Sequence, residues 1–289
     1  MSTDWKAESG KRKAEITAPP PVATATVLVD WCPDVDWMDA VINTPELHER
    51  TRQDGTPPCG AASLRPLLDR PEISFIQARR GAQRVGFWLL VDMAEGVTEF
   101  HTTLLPHCRG AEAMEVCAAA QDFVFTHTAT MRLTTGCPAC IPEARLMARR
   151  CGFQVDRTAL RPWVKDGVEH PVTLMSLHVM EWARQAWPRF AALGQTIHDR
   201  LELLLGAPNH PDDPNHNGMV GIAATMAVRG FPQHAEGFFN EWACRSGYAP
   251  VRFMGACAGW QTFTIANAVV SIDPHFNLKL KESPCPGPL

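Results

Sequence analysis

Between Arg84 and Phe153 the chain sets two strand-length runs, a proline–glycine turn, a helix-length repeat, a third strand and a second helix in one unbroken order. Arg84-Val-Gly-Phe-Trp-Leu-Leu-Val-Asp92 is apolar enough for a buried strand. Val97-Thr-Glu-Phe-His-Thr-Thr-Leu-Leu105 alternates before it meets Pro106. Asp92 to Gly96 supplies the hairpin turn between them. After Leu105-Pro-His-Cys-Arg-Gly110, apolar Ala113, Cys117, Ala120, Phe123 and Val124 recur at helical spacing, with Glu112 and Glu115 in the first turn where the helix dipole favours acids. That spacing predicts a helix of about four turns. Met131 to Thr135 reads as the next strand, Glu143 to Arg150 as a helix closed by Cys151-Gly152, and Val172 to Val179 as a late strand. Strands and helices alternating in this way argue for an α/β sheet.

Over roughly residues 25 to 185 this pattern resembles the GNAT superfamily, the GCN5-related N-acetyltransferases. Arg109-Gly110 after Leu105-Pro106 matches the lead-in to that family's pyrophosphate loop, and Ala144 with Gly152-Phe153 matches the end of its coenzyme-side helix. The resemblance implies a mixed central sheet flanked by helices. It also implies a coenzyme A loop over Arg109, Gly110, Ala111, Glu112, Ala113 and Met114. Family members usually follow the arginine with Gly-x-Gly-x-Gly/Ala, so that bare backbone N–H groups cradle the phosphates. Here Glu112 and Met114 bring side chains, one of them an anion that opposes phosphate if it faces the loop. As a first-turn residue Glu112 serves the helix instead. The places where many members carry an asparagine and a general-acid tyrosine fall on Ile141 and Ala148, and the chain's one tyrosine is Tyr248. Acyl transfer to an amine needs a base for the ammonium proton. Glu99 and His101, two apart on one strand face, are the candidates, with His178 behind them. Cross-strand pairing is the competing role for Glu99.

With 289 residues and 45% hydrophobic content the chain can bury a full core, as one large domain or two smaller ones. A formal charge of −4 gives no basic field to recruit nucleic acid. No run of about 18 apolar residues suggests a membrane span, and the N-terminus lacks the apolar core of a signal peptide. A soluble protein made in the cytoplasm is the expectation. Its ten cysteines are spread through expected helices and strands, which suits reduced, buried thiols. Cys137-Pro-Ala-Cys140 has the spacing of half a zinc knuckle or a redox pair. No second such pair exists, so zinc would need distant ligands such as His107 or Cys108, and a plain loop without metal is the expectation.

Residues 1–22 are polar, with Lys11-Arg12-Lys13 and Pro19-Pro-Pro21, and read as an extended arm. Asp36 to Asn43 forms an early amphipathic stretch. The domain reading places a GNAT-like domain over 23–185 and a smaller α+β unit with a proline-rich tail over 186–289. In that second part Arg189 to Leu205 is expected as a helix starting just beyond Pro188, with helices over Gly218 to Val228 and Gln233 to Ser246. Strands follow over Val251 to Gly255, Gln261 to Ala266 and Ala268 to Ile272. The loop Asn209 to Asn217 is rich in oxygen and imidazole groups, which turn chemistry explains as well as metal binding does.

Leu105-Pro-His-Cys-Arg-Gly110, Leu133-Thr-Thr-Gly-Cys-Pro138 and Phe238-Phe-Asn-Glu-Trp-Ala243 further resemble GNAT-like head-assembly and accessory proteins of short-tailed bacteriophages. That resemblance implies a noncatalytic structural or assembly role in a virion, without cofactor. The arm and the C-terminal unit would dock on other protein subunits of an oligomeric assembly. Trp5, Trp31, Trp37 and Trp163 are either interface anchors or ordinary core. The alternative function is an acetyl-CoA-dependent N-acetyltransferase acting on an amine.

Overall fold

The structure is a computed structural model that describes residues 27–32, 34–56, 64–205, 214–245, 249–257, 259–265, 268–276 and 278–281. The N-terminal arm, Tyr248, most of the 209–217 loop and the proline-rich tail lie outside the described residues. The chain divides into two compact units. One runs to Phe123 and resumes over Thr130–Val179; the other takes Val124–Ala129 and everything from Met180.

The first unit is built on a seven-stranded sheet of order β1-β2-β3-β4-β5-β9-β6. Its strands are β1 (Val27–Trp31), β2 (Ile73–Arg80), β3 (Gln83–Ala94), β4 (Val97–Leu104), β5 (Arg132–Pro138), β6 (Gln154–Thr158) and β9 (Val172–His178), with a small hairpin of β7 (Trp163–Lys165) and β8 (Val168–His170). Every neighbouring pair in the sheet is antiparallel except β4 and β5, which run parallel. The parallel pair is joined through α3 (Gly110–His127), and β5 leads into α4 (Pro142–Arg150). This is the mixed sheet and element order of a GNAT-like fold, as the resemblance implies.

Two short helices follow β1: α1 (Val35–Ile42) and α2 (Pro45–Thr51). Asp34 caps α1 by accepting the Trp37 N–H at 3.1 Å, and Val35, Met38 and Val41 put one apolar stripe inward. That stripe packs with Cys32, Phe75 and Phe87 on one face of the sheet. On the other face lie Ile76, Trp88 and Leu90, fully buried, because side chains alternate along a strand. Trp88 stacks on Phe100, and Phe100 on Phe153, at 5.9 and 6.3 Å between ring centroids. β2 has no counterpart among the strands expected from sequence. Both its faces are covered and buried Gln77 interrupts its apolar run, so it shows no period of two.

The second unit holds α5 (Val179–Leu205), of which residues from Met180 belong to it, α6 (Pro214–Val228), α7 (Pro232–Arg245) and an antiparallel sheet of order β10-β11-β12-β13. Those strands are Arg252–Cys257, Trp260–Ile265, Ala268–Ile272 and Leu278–Lys281, the last not expected from sequence. α5 corrects the helix start: it runs through Pro188 and does not begin after it. Pro188 falls on the exposed side, while Trp182, Ala183, Ala186, Phe190, Ile197 and Leu201 form a buried stripe that continues across it. Burial of that stripe outweighs the hydrogen bond the proline removes. α6 is buried at every position from His216 to Ala227, so it shows no amphipathic pattern. Among the described residues no helix is long and apolar enough to cross a membrane.

Candidate active site

β4 and β5 pair only over Val97–Glu99 against Arg132–Thr134. Beyond that, β4 stays with β3 as far as Leu104 and β5 stays with β9 as far as Pro138. The facing edges therefore part, and a cavity of about 550 Å³ opens between them. Phe100, His101 and Thr103 of β4 line one wall, Thr135, Gly136 and Cys137 of β5 the other. Cys117 and Gln121 of α3, with Cys151 and Phe153 after α4, close it behind. The Gln121 side-chain amide donates to the Cys151 carbonyl at 3.0 Å and ties these two segments together.

Because β4 and β5 are parallel, their C-terminal ends open on the same side, where α3 and α4 both begin. Gly110 starts α3 at φ +58°, a left-handed turn that glycine makes without strain and a side chain resists. The first helical bond joins the Ala113 N–H to the Arg109 carbonyl, so the amides before it have no partner within the helix. Arg109, Gly110, Ala113 and Met114 line the cavity. Glu112 does not: its carboxylate reaches Arg80 on the β2–β3 hairpin at 3.6 Å, and Glu115 reaches the same guanidinium at 2.5 Å. Ala111 is exposed beside Gly110 at the helix start. Glu112, which the resemblance sets within the loop, thus faces Arg80 and not the cavity.

Glu99 and His101 share a strand face and form a pair, with the His101 Nε2 to Glu99 Oε2 distance at 3.5 Å. The hydrogen bond from His101 holds the half-buried Glu99 below the usual carboxylate range, against the opposing pull of burial. His101 lines the cavity, and Glu99 stands where the strands begin to part. His178 sits opposite Arg132 at the far end of β5 and is not part of the cavity wall. Ile141 and Ala148, the places the resemblance gives to asparagine and tyrosine, both line the cavity and offer it no polar side chain.

Four thiols also line the cavity: Cys108, Cys117, Cys137 and Cys151. Burial, then Glu112, pushes Cys108 up to about 11. Cys117 is pushed well up by the hydrogen bond it makes to Cys151 and by burial, while that bond pulls Cys151 down. Cys137 is raised by burial. It belongs to β5 and not to a loop, with its Sγ 3.9 Å from Met175 Sδ. Among the described residues no cluster of three histidine, cysteine or acidic side chains has the geometry to hold a metal. Sequence reasoning did not single out Arg50 of α2, Glu143 of α4, Gln121 or the thiols as cavity residues. Arg50 sits in Pro45-Glu-Leu-His-Glu-Arg-Thr51, an ordinary short polar helix with no local mark of a site. Trp163, singled out only as an interface or core tryptophan, also lines the cavity. Trp31 and Trp37 pack edge-on against Phe123 and Phe87.

No family model matches the chain, and no curated protein matches it. Among solved structures it is similar to a spermidine N-acetyltransferase from Vibrio cholerae in complex with CoA and spermine. The two are 14% identical, the match covers 55% of this chain and 98% of that one, and the TM-score is 0.47. It is also similar to a probable acetyltransferase of the GNAT family from Chromobacterium violaceum ATCC 12472, at 18% identity, 57% and 90% coverage and a TM-score of 0.46.

Proposed function

We propose that the chain is an acyl-CoA-dependent N-acyltransferase acting on an amine. The observation that carries this reading is the parting of β4 from β5. It leaves an open strand edge along a cavity of about 550 Å³ whose mouth lies at two helix starts. An amide-bearing chain fits such an edge by backbone hydrogen bonding, and phosphates fit amides and arginine at a helix start. Arg109 and the first-turn amides after Gly110 are the residues for the phosphates. Acyl-CoA supplies the activated thioester.

His101, on the cavity wall and bonded to Glu99, is placed to take the proton from an acceptor ammonium. Glu99, ionised at neutral pH, stabilises the imidazolium that results. Phe100 and Phe153 exclude water from one side of the cavity. Ala148 offers no side-chain acid for the departing thiolate, so the proton that the attacking nitrogen loses as the amide forms passes to it through water.

Of the two functions left open by the sequence, this arrangement favours catalysis, since Glu112 is drawn off the phosphate loop by Arg80. Calorimetric titration with acetyl-CoA tests it, run beside a Glu112→Gly, Met114→Gly variant. Saturable binding by the wild type supports the acyltransferase. Silence from the wild type with binding by the variant returns the frame to the assembly role, in which the arm and the 186–289 unit dock on other subunits of a virion.

A further inference from the structure

This inference rests on the acyl-CoA reading and adds a residue and a control to it. We propose that Arg50 is a second phosphate-binding cation of the cleft, and that Glu143 occupies its guanidinium until a phosphate-bearing ligand displaces it.

Arg50 ends α2 and Glu143 starts α4, 93 residues further along the chain, yet the two side chains bond to each other. Both line the cavity. α4 begins beyond the C-terminal end of β5, so the pair stands at the open end of the cleft, with α3 and Arg109. Glu143 is held below the usual carboxylate range by its own N–H, then by Arg50, and Arg109 adds to the effect. One carboxylate therefore answers to two arginines, both on the cavity wall.

The neighbouring arginine shows what a purely structural pair looks like here. Arg52 is held by two acids, Glu49 and Asp166, each at 2.8 Å, and does not line the cavity. Arg50 pairs with Glu143, and that partner is itself a cavity residue.

The side chains of Arg50 and Glu143 are 40% and 53% exposed. Ion pairs this exposed are weak, because water screens them and two long side chains lose freedom in making them. A pyrophosphate carries two charges to a carboxylate's one and offers four non-bridging oxygens to the planar guanidinium fork, so exchange favours the phosphate. With Glu112 turned away and two glycines of the family loop missing, Arg50 supplies charge that the loop lacks. Glu143 keeps Arg50 oriented and competes with the ligand for it.

The test is calorimetric titration of the full chain and its Arg50→Gln and Glu143→Gln variants with CoA and, separately, with pantetheine, which lacks the phosphates. Arg50→Gln is expected to weaken CoA binding about tenfold and Glu143→Gln to tighten it about threefold, with pantetheine binding unchanged in both. Unchanged pantetheine binding also shows that each variant keeps a folded cleft. If both variants bind CoA as the wild type does, Arg50 does not hold phosphate and the inference falls while the coenzyme reading stands. If CoA and pantetheine weaken together in Arg50→Gln, the pair only holds the cleft in shape, which also overturns it. If neither the wild type nor Glu143→Gln binds CoA or pantetheine, the acyl-CoA reading itself fails.

Discussion

Gly194→Ala is the substitution on which helix propensity and tertiary packing disagree in sign. Gly194 lies inside α5, where alanine is worth about 1 kcal/mol more than glycine in a helix interior. Propensity alone makes the variant more stable. In the structure, a Cβ on Gly194 falls on the backbone carbonyl of Asn217 in α6. Gly221 of α6 returns the approach: its Cβ would lie against the Phe190 carbonyl and 3.0 Å from the Gly194 nitrogen. Gly218 meets the Trp187 backbone in the same way. The two helices touch backbone to backbone along three glycines, and a carbonyl cannot rotate aside as a side chain does. Making room means moving α6, which is buried throughout from His216 to Ala227. Overpacking of a close-packed interior typically costs about 1–3 kcal/mol. An overlap with a backbone carbonyl belongs at the upper end of that range, so after the propensity gain a net loss of about 2 kcal/mol is expected, roughly a 30-fold fall in the folded-to-unfolded ratio. Gly237→Ala in α7 is the control. Gly237 is exposed with open space where its Cβ would go, so that variant gains about 0.5–1 kcal/mol. Guanidinium unfolding of both at constant pH measures the difference, and both positions lie in the same unit. A Gly194→Ala protein as stable as Gly237→Ala would refute the packing reasoning.

Glu99→Gln is expected to lower acyl transfer about 10²–10⁴-fold in a steady-state assay while coenzyme binding is kept; full activity would remove Glu99 from the mechanism. Because His101 holds Glu99 below the usual carboxylate range, its stabilising contribution is present above the unfolded value near 4.3 and is lost as pH falls through the folded value. The wild type's stability advantage over Glu99→Gln should therefore narrow below about pH 4 in an acid-unfolding series, and a gap that widens there contradicts the pairing. Brief alkylation of the native protein with iodoacetamide at neutral pH, read by peptide mass spectrometry, should label exposed Cys244 before the buried Cys108 and Cys117. Cys108 and Cys117 should label slowly, since burial and their neighbours keep both as thiols and the thiolate is the nucleophile. Equal labelling of Cys108 and Cys244 would count against the burial of Cys108.

The middle of the first unit was legible because its signals are local. Phe87 and Trp88 alternate on neighbouring positions, Glu95-Gly96 makes the turn, and Ala113 to Val124 repeats at helical spacing. Each of these is settled within a few residues of chain. β2 escaped because a strand covered on both faces loses its alternation, whereas the helix over Gly218 to Val228 is legible and only its first turn, from Pro214, reads as loop. Pro188 read as the boundary before a helix because its missing hydrogen bond is a local cost, while the burial of Trp182, Ala186 and Phe190 that outweighs it is a tertiary gain.

The site divides along the same line. From the sequence alone came the order of elements, the position of Arg109-Gly110 at the start of a helix, and the shared strand face of Glu99 and His101, since periodicity within one element decides all three. Only the tertiary structure decided that β4 and β5 part after Glu99, that Glu112 faces Arg80 and not the cavity, and that Arg50 meets Glu143 across 93 residues. Periodicity reports which face of an element is apolar but not what comes to cover it, and a pair between distant segments leaves no mark on either.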